Sequence, residues 1–202
     1  MESELATAKA ALRTKIRAAL KTISAEARAL ASAQACDRVR AQPVWKNARA
    51  VLLFAPRSEE LDVWPLLAEA LAEGKTVALP RFVSQTKIYV AARIQDLRTD
   101  IRIGYYNIRE PAEHCREILP KLPDLVLVPG VAFDSLGRRL GHGRGFYDRL
   151  LSGMRGLKCG VAFDEQMVTE VPTNERDVGM DFILTPTRWI KAGDGEERRD
   201  AG

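Results

Sequence analysis

Cysteine is scarce in this sequence: only Cys36, Cys115 and Cys159 occur, far apart and with no C-x-x-C pair. An odd, scattered set argues against a disulfide framework and against a structural zinc site, and predicts reduced thiols in the cytoplasm. No apolar stretch approaches the roughly 18 residues needed to span a membrane. The alanine-rich beginning is interrupted by Glu2, Glu4, Lys9 and Arg13. It offers no h-region and no convincing cleavage site, so no signal peptide is expected. A block of about five or six like charges is also missing, which argues against a disordered nucleic-acid arm. No internal repeat is visible.

What is present fits one compact domain. The chain has 202 residues, 46% of them hydrophobic and 29% charged, a composition and length that support a proper core. The formal charge is +4 and the pI about 9.1. A mildly basic protein suits a small polyanion such as ATP, or a nucleic acid, or simply carries an unspecific basic surface.

Leu5, Ala8, Leu12, Ile16, Ala19, Leu20 and Ile23 recur at helical spacing and predict a helix over roughly residues 3–22. Ser24 with Glu26 reads as the cap of a second helix, running to about Ala41 and ending before Pro43. "RAVLLFAP", "KTVALP", "DLVLVPG", "KCGVAF" and "MDFILTP" read as short strands, and "KIYVAARI" as a further strand at a sheet edge. Val63 to Glu73 is helical, with Gly74 as its stop. Short apolar strands alternating with helices predict a parallel sheet covered on both faces. Residues 99–123 are irregular and read as loops with one short helix. The polar end, "AGDGEERRDAG", reads as disordered.

The stretch "VPGVAFDSLGRRLGHGRGFYDRLL" carries four glycines within nine residues, beginning at Gly137. It follows the cleanest strand, where open parallel sheets bind ligands. Glycines there let backbone approach a ligand, and successive N–H groups before a helix attract phosphate. Arg138, Arg139 and Arg144 add cations that can fork onto phosphate oxygens, and Asp148 is a hard oxygen donor suited to Mg²⁺. The pattern is neither G-x-x-x-x-G-K-[ST] nor G-x-G-x-x-G, and a glycine-rich surface loop has the same composition.

These same residues resemble the signature of the 5-formyltetrahydrofolate cyclo-ligase family, also called 5,10-methenyltetrahydrofolate synthetases, close to PG-x-AFD-x-x-G-x-RLG-x-G-x-GYYD. The likeness continues in order through "KAALR", "EELD", "VALPR", "YYNIREP", "FDEQ" and "VPTNERDVGMDFILTP", covering roughly residues 5–190. It implies an α/β fold, a three-layer α/β/α sandwich with a mostly parallel, Rossmann-like sheet of the sugar-phosphate isomerase and coenzyme A transferase kind. A single domain over residues 1–190 and a disordered tail over 191–202 follow from it.

The resemblance implies ATP-dependent conversion of 5-formyltetrahydrofolate to 5,10-methenyltetrahydrofolate with Mg²⁺, releasing ADP and phosphate. It places Lys9, Arg13, Arg139, Leu140, Gly141, His142, Gly143, Arg144, Gly145, Phe146 and Tyr147 at ATP. Ala55, Glu60, Tyr106, His142, Gly143, Arg144, Gly145 and Phe146 fall at the folate, Asp148 and Asp177 at the metal, and Lys9, Arg144 and Tyr147 in catalysis. Each has a plain alternative. Lys9 and Arg13 fit a solvated helix face, Asp148 a helix-start carboxylate, and Asp177 a turn residue. Glu60 fits a surface charge interchangeable with Glu59, and Tyr106 fits core packing.

His142, Arg144 and Phe146 depart from the family pattern, and "ELDVW" lacks its threonine. Mg²⁺ prefers oxygen, so His142 is expected to meet phosphate or solvent rather than metal. The implied partners are small molecules, with no nucleic acid and no membrane, acting on a cytoplasmic monomer. Two other classes compete: a related α/β enzyme acting on a sugar phosphate or coenzyme A ester, and a non-catalytic folate- or RNA-binding protein.

Overall fold

Alternate residues of the central strands enter opposite cores. Val51 and Leu53, Val77 and Leu79, and Leu125 and Leu127 pack into one cluster, whereas Leu52, Ala78, Val126 and Val128 pack into another. Both faces are apolar, so these strands read as unbroken hydrophobic runs rather than alternating ones.

The computed structural model describes residues 2–193, without the side chains of Glu2 and Tyr106. Its strands are β1 (Ala50–Leu52), β2 (Thr76–Val83), β3 (Ile88–Ile94), β4 (Ile101–Ile103), β5 (Arg109–Pro111), β6 (Leu125–Pro129), β7 (Ala132–Phe133), β8 (Arg139–Leu140), β9 (Leu157–Val161), β10 (Phe182–Leu184) and β11 (Trp189–Lys191). Seven form one sheet in the order β11-β10-β9-β6-β1-β2-β3. The inner pairs are parallel, and β2–β3 and β10–β11 at the two edges are antiparallel. The expected edge position of "KIYVAARI" is that of β3.

Helices α1 (Glu2–Leu20), α2 (Ala25–Ala41), α3 (Pro43–Asn47) and α4 (Pro65–Ala72) cover one face, and α5 (Phe146–Leu151) lies on the other. Helix α1 seats Leu12, Ile16 and Leu20 on the first core. Helix α2 starts where the sequence predicts: Ser24 Oγ accepts the Ala27 N–H at 3.2 Å, a cap worth about 1 kcal/mol. Pro43 ends that helix but also opens α3 at its first turn, where a missing N–H costs nothing. In α4, Leu66, Leu67 and Ala70 are fully buried, each leucine contributing roughly 1.5–3 kcal/mol. Gly74, at φ +75°, terminates the helix as expected.

Residues 99–123 hold more than loops. Strands β4 and β5 form an antiparallel hairpin around one 3₁₀ turn at Tyr105–Asn107. Its anchor is tertiary: the buried Glu110 carboxylate accepts the Phe82 N–H at 3.2 Å and an Arg102 N–H at 3.1 Å. Strands β7 and β8 form a second hairpin. The fully buried Asp134 organises it, accepting N–H groups from Leu136, Arg138 and Val171.

The three cysteines are free and buried. Desolvation pushes Cys36 up to about 11 and raises Cys115 and Cys159 as well, so all three remain protonated. No helix among the described residues is long and apolar enough to cross a membrane. The expected tail lies, from residue 194 on, outside the described residues.

The topology creates a crevice. From β1 the chain crosses through α4 on one face to β2; from β6 it crosses through α5 on the other face to β9, moving the opposite way along the sheet. The carboxyl ends of β1 and β6 therefore diverge, which is where doubly wound sheets accept ligands.

Candidate active site

A cavity of about 380 Å³ opens at this switch point, between Ala55 beyond β1 and Pro129 at the end of β6. Tyr89, Phe146 and Tyr147 give it an aromatic side. Phe146 meets Phe82 and Tyr89 edge-on, with centroids 5.5 Å apart in both pairs, and Tyr89 lies 6.0 Å from Tyr147. Such edge contacts hold the rings in fixed orientations along the cavity.

Glu60 supplies the carboxylate. Its side chain is 8% exposed; one oxygen accepts the Arg57 N–H at 3.0 Å, and the other stands 3.3 Å from His142 Nε2. Glu59 does not line this cavity and instead pairs with the Arg57 guanidinium at 2.7 Å. Desolvation, then the nearby Glu60 charge, raise Tyr147 well above the ordinary phenol range. Its hydroxyl stays a proton-bearing donor at neutral pH.

The loop from β8 to α5 forms one wall, and its other side faces α1. Arg13 Nε donates to the Gly141 carbonyl at 2.9 Å. Gly143 sits at φ +102°, and a Cβ there would lie 3.4 Å from the Arg13 guanidinium carbon. Gly145, at φ +63°, leads into α5. Burial and then Arg17 lower the Arg13 pKa, and the negative charge of a bound anion would act in the opposite direction. Gly141, His142, Arg144, Gly145 and Phe146 line the cavity from this wall.

Lys9 lies one helical turn before Arg13 and pairs with Asp177 at 2.5 Å. Arg139 is 4% exposed; it donates to Asp148 at 2.6 Å and to the Pro129 carbonyl at 3.3 Å, and its buried Nε has no partner among the described residues. Leu140 packs its side chain in the core, leaving its main chain to pair with Val131. The Tyr106 side chain lies outside the described residues. Arg138 turns away from the cavity to Asp134 and Glu170, so it does not add its charge to the loop. His142 Nε2 stands 3.3 Å from a Glu60 carboxylate oxygen.

Asp148 and Asp177 suit a hard cation. In each, one oxygen is committed: Asp148 Oδ1 to Arg139 and Val178 N, Asp177 Oδ2 to Lys9 and Asn174 N. The other oxygen of each accepts no hydrogen bond among the described residues. Mg²⁺ commonly takes one or two carboxylates and completes its shell with phosphates and water, and these two residues fit that use.

The sequence alone did not single out Arg17, Arg57, Tyr89, Arg109 or Glu110, all of which line the cavity. Arg17 carried a signal, since Lys9, Arg13 and Arg17 fall four apart on one helix face. The others stand on strands and loops that only the tertiary fold brings together.

Fold and site together define an α/β enzyme in which an aromatic, carboxylate-bearing cavity shares a loop with a cationic helix face. The chain matches the model of the 5-formyltetrahydrofolate cyclo-ligase family over residues 6–186. It is 33% identical over 162 residues to the 5-formyltetrahydrofolate cyclo-ligase of Escherichia coli K12, covering 77% of this chain and 87% of that one. The NMR structure of the 5,10-methenyltetrahydrofolate synthetase of Aquifex aeolicus superposes with a TM-score of 0.83 at 32% identity, covering 95% of this chain and 96% of that one. A synthetase structure from Mycoplasma pneumoniae, at 20% identity and TM-score 0.70, shares the fold over 88% of this chain and 98% of its own. The chain belongs to the 5-formyltetrahydrofolate cyclo-ligase family, as its motifs suggested, and so to the ligases of one-carbon metabolism.

Proposed function

We propose that this protein converts 5-formyltetrahydrofolate and MgATP into 5,10-methenyltetrahydrofolate, ADP and phosphate. A formamide oxygen is a poor leaving group. Attack of that oxygen on the γ-phosphorus expels ADP and leaves an N5-iminium phosphate. N10 of the same molecule attacks the formyl carbon, the C–O bond breaks, phosphate departs, and N10 loses its proton. The second step is intramolecular and gains from proximity, so the protein's task is alignment and charge neutralisation.

The observation that carries this reading is the shared loop: one side touches Arg13, and the other lines the cavity holding Glu60. A triphosphate on the α1 side and a pterin on the Glu60 side would meet across residues 141–146. Lys9, Arg13 and Arg144 would bind the phosphates. Arg139 would hold Asp148 in place and neutralise nearby charge. Glu60 would accept pterin N–H groups, with Ala55 beneath the ring, the aromatic rings and Tyr106 beside it, and the protonated Tyr147 hydroxyl as donor. Asp148 and Asp177 would hold Mg²⁺, which would draw charge from the phosphate oxygens when bound. The protein acts as a single-domain cytoplasmic monomer.

Mixing 5-formyltetrahydrofolate, MgATP and protein should give the absorbance of the methenyl product, with none in the absence of ATP. No absorbance growth, or growth without ATP, would refute the proposal.

A further inference from the structure

A second cavity, of about 280 Å³, adjoins the first, and Arg57, Glu60 and Arg109 belong to both walls. It extends from this junction toward Arg28, Ser32 and Asp62. Arg109 lies with its guanidinium carbon 3.6 Å above the centre of the Trp64 ring. Stacking fixes the plane of a guanidinium and leaves its edge of N–H donors open. That edge donates to no acceptor among the described residues. Arg57 pairs with Glu59, but both side chains are about 40% exposed, and such a surface pair contributes little and exchanges readily.

The acidic groups on the annex wall, Glu60 and Asp62, make no ion pair with either cation among the described residues. Asp62 Oδ1 accepts the Trp64 N–H at 2.9 Å, and Glu60 is engaged by the Arg57 N–H and His142. Arg28 is turned to the carbonyls of Leu20 and Ile23 at the end of α1. Two guanidinium groups thus stand at the exit from the aromatic cavity, one of them held flat with its donors unused. Lys9 and Arg13 line neither cavity.

We propose that Arg57 and Arg109 form an anion subsite for the carboxylates of the glutamyl tail of the folate, a placement that rests on the folate reading above. The pterin would lie at Glu60 and the tail would leave between the two arginines into the annex. A guanidinium fork matches a carboxylate in geometry and charge, so this subsite distinguishes substrates that bear the amino-acid tail from those that lack it.

The test compares 5-formyltetrahydrofolate with 5-formyltetrahydropteroate, which lacks the glutamate, in the unmodified protein and in R57Q, R109Q and the double variant. The unmodified protein should favour the glutamate-bearing substrate in KM by about tenfold or more, as expected for charge-assisted contacts. The double variant should lose that preference. An equal rise in KM for both substrates would overturn the subsite, showing that the arginines shape the pterin cavity. A rise in the KM for ATP as large as that for folate would assign them to phosphate, and a preserved preference would remove them altogether. If the unmodified protein turned over neither substrate, the functional reading would fall instead. Calorimetric binding of the same two compounds to the same proteins would then still read the subsite.

Discussion

The two sides of the loop between β8 and α5 are built on opposite principles. On the α1 side the cations already have partners: Lys9 holds Asp177 and Arg13 holds the Gly141 carbonyl. On the cavity side Tyr89, Phe146 and Tyr147 form a preset aromatic wall beside the Glu60 carboxylate. On the proposed function the first side would exchange internal partners for a ligand, whereas the second would need only filling. A polyanion binds well where stored ion pairs can reopen, and a flat heterocycle where rings are fixed beforehand.

The largest test of this contrast is Asp148→Asn. On the proposed function it should reduce ADP formation by about 10²–10³-fold while 5-formyltetrahydrofolate still binds, as read by coupled ADP release and calorimetry. Unchanged turnover would remove the aspartate-held metal. Glu60→Gln probes the other side. It should raise the folate KM by about tenfold, the scale of one hydrogen bond to a charged group, with a smaller change for ATP. Arg13→Ala should do the reverse, raising the KM for ATP severalfold and more than that for folate; the opposite ranking would exchange the two sides.

The smallest effect belongs to a region away from the loop. Burial opposes the charge on Asp100, but hydrogen bonds from His114 and the N–H groups of Gln95 and Asp96 outweigh it and bring its pKa down to about 2. A carboxylate depressed in this way stabilises the fold above its unfolded value near 3.9, and that contribution fades as pH falls toward 2. Asp100→Asn should cost roughly 1–2 kcal/mol at neutral pH and flatten the acid limb of stability between about pH 4 and 2, without altering the KM for either substrate. Urea unfolding at several pH values measures this.

The parts legible in the sequence are those set by local chemistry. The Ser24 cap, the Gly74 stop and the apolar runs of β1, β6 and β9 each appear where their residues dictate. Strands β4 and β5 were not legible, because three-residue strands carry no period and Glu110 is bound by Phe82 from another strand. Pro43 read as a stop alone because its second use, opening α3, depends on burying Trp45. The glycine loop announced itself as a ligand loop, yet composition could not separate Arg138 from Arg139. Only the buried Asp134 and the position of Asp148 decide which arginine turns inward. Tyr89 and Arg109 are ordinary strand residues until the tertiary fold brings a sheet edge and the β4–β5 hairpin to the Glu60 cavity.

The burial of all three thiols has a practical use. With Cys36, Cys115 and Cys159 enclosed and protonated, maleimide chemistry has no native target at neutral pH while the chain stays folded. A cysteine introduced at the exposed Ser152, just past α5, would be a solitary attachment point for a fluorophore near that wall, keeping every side chain assigned to the site and without first stripping the protein of its own sulfur.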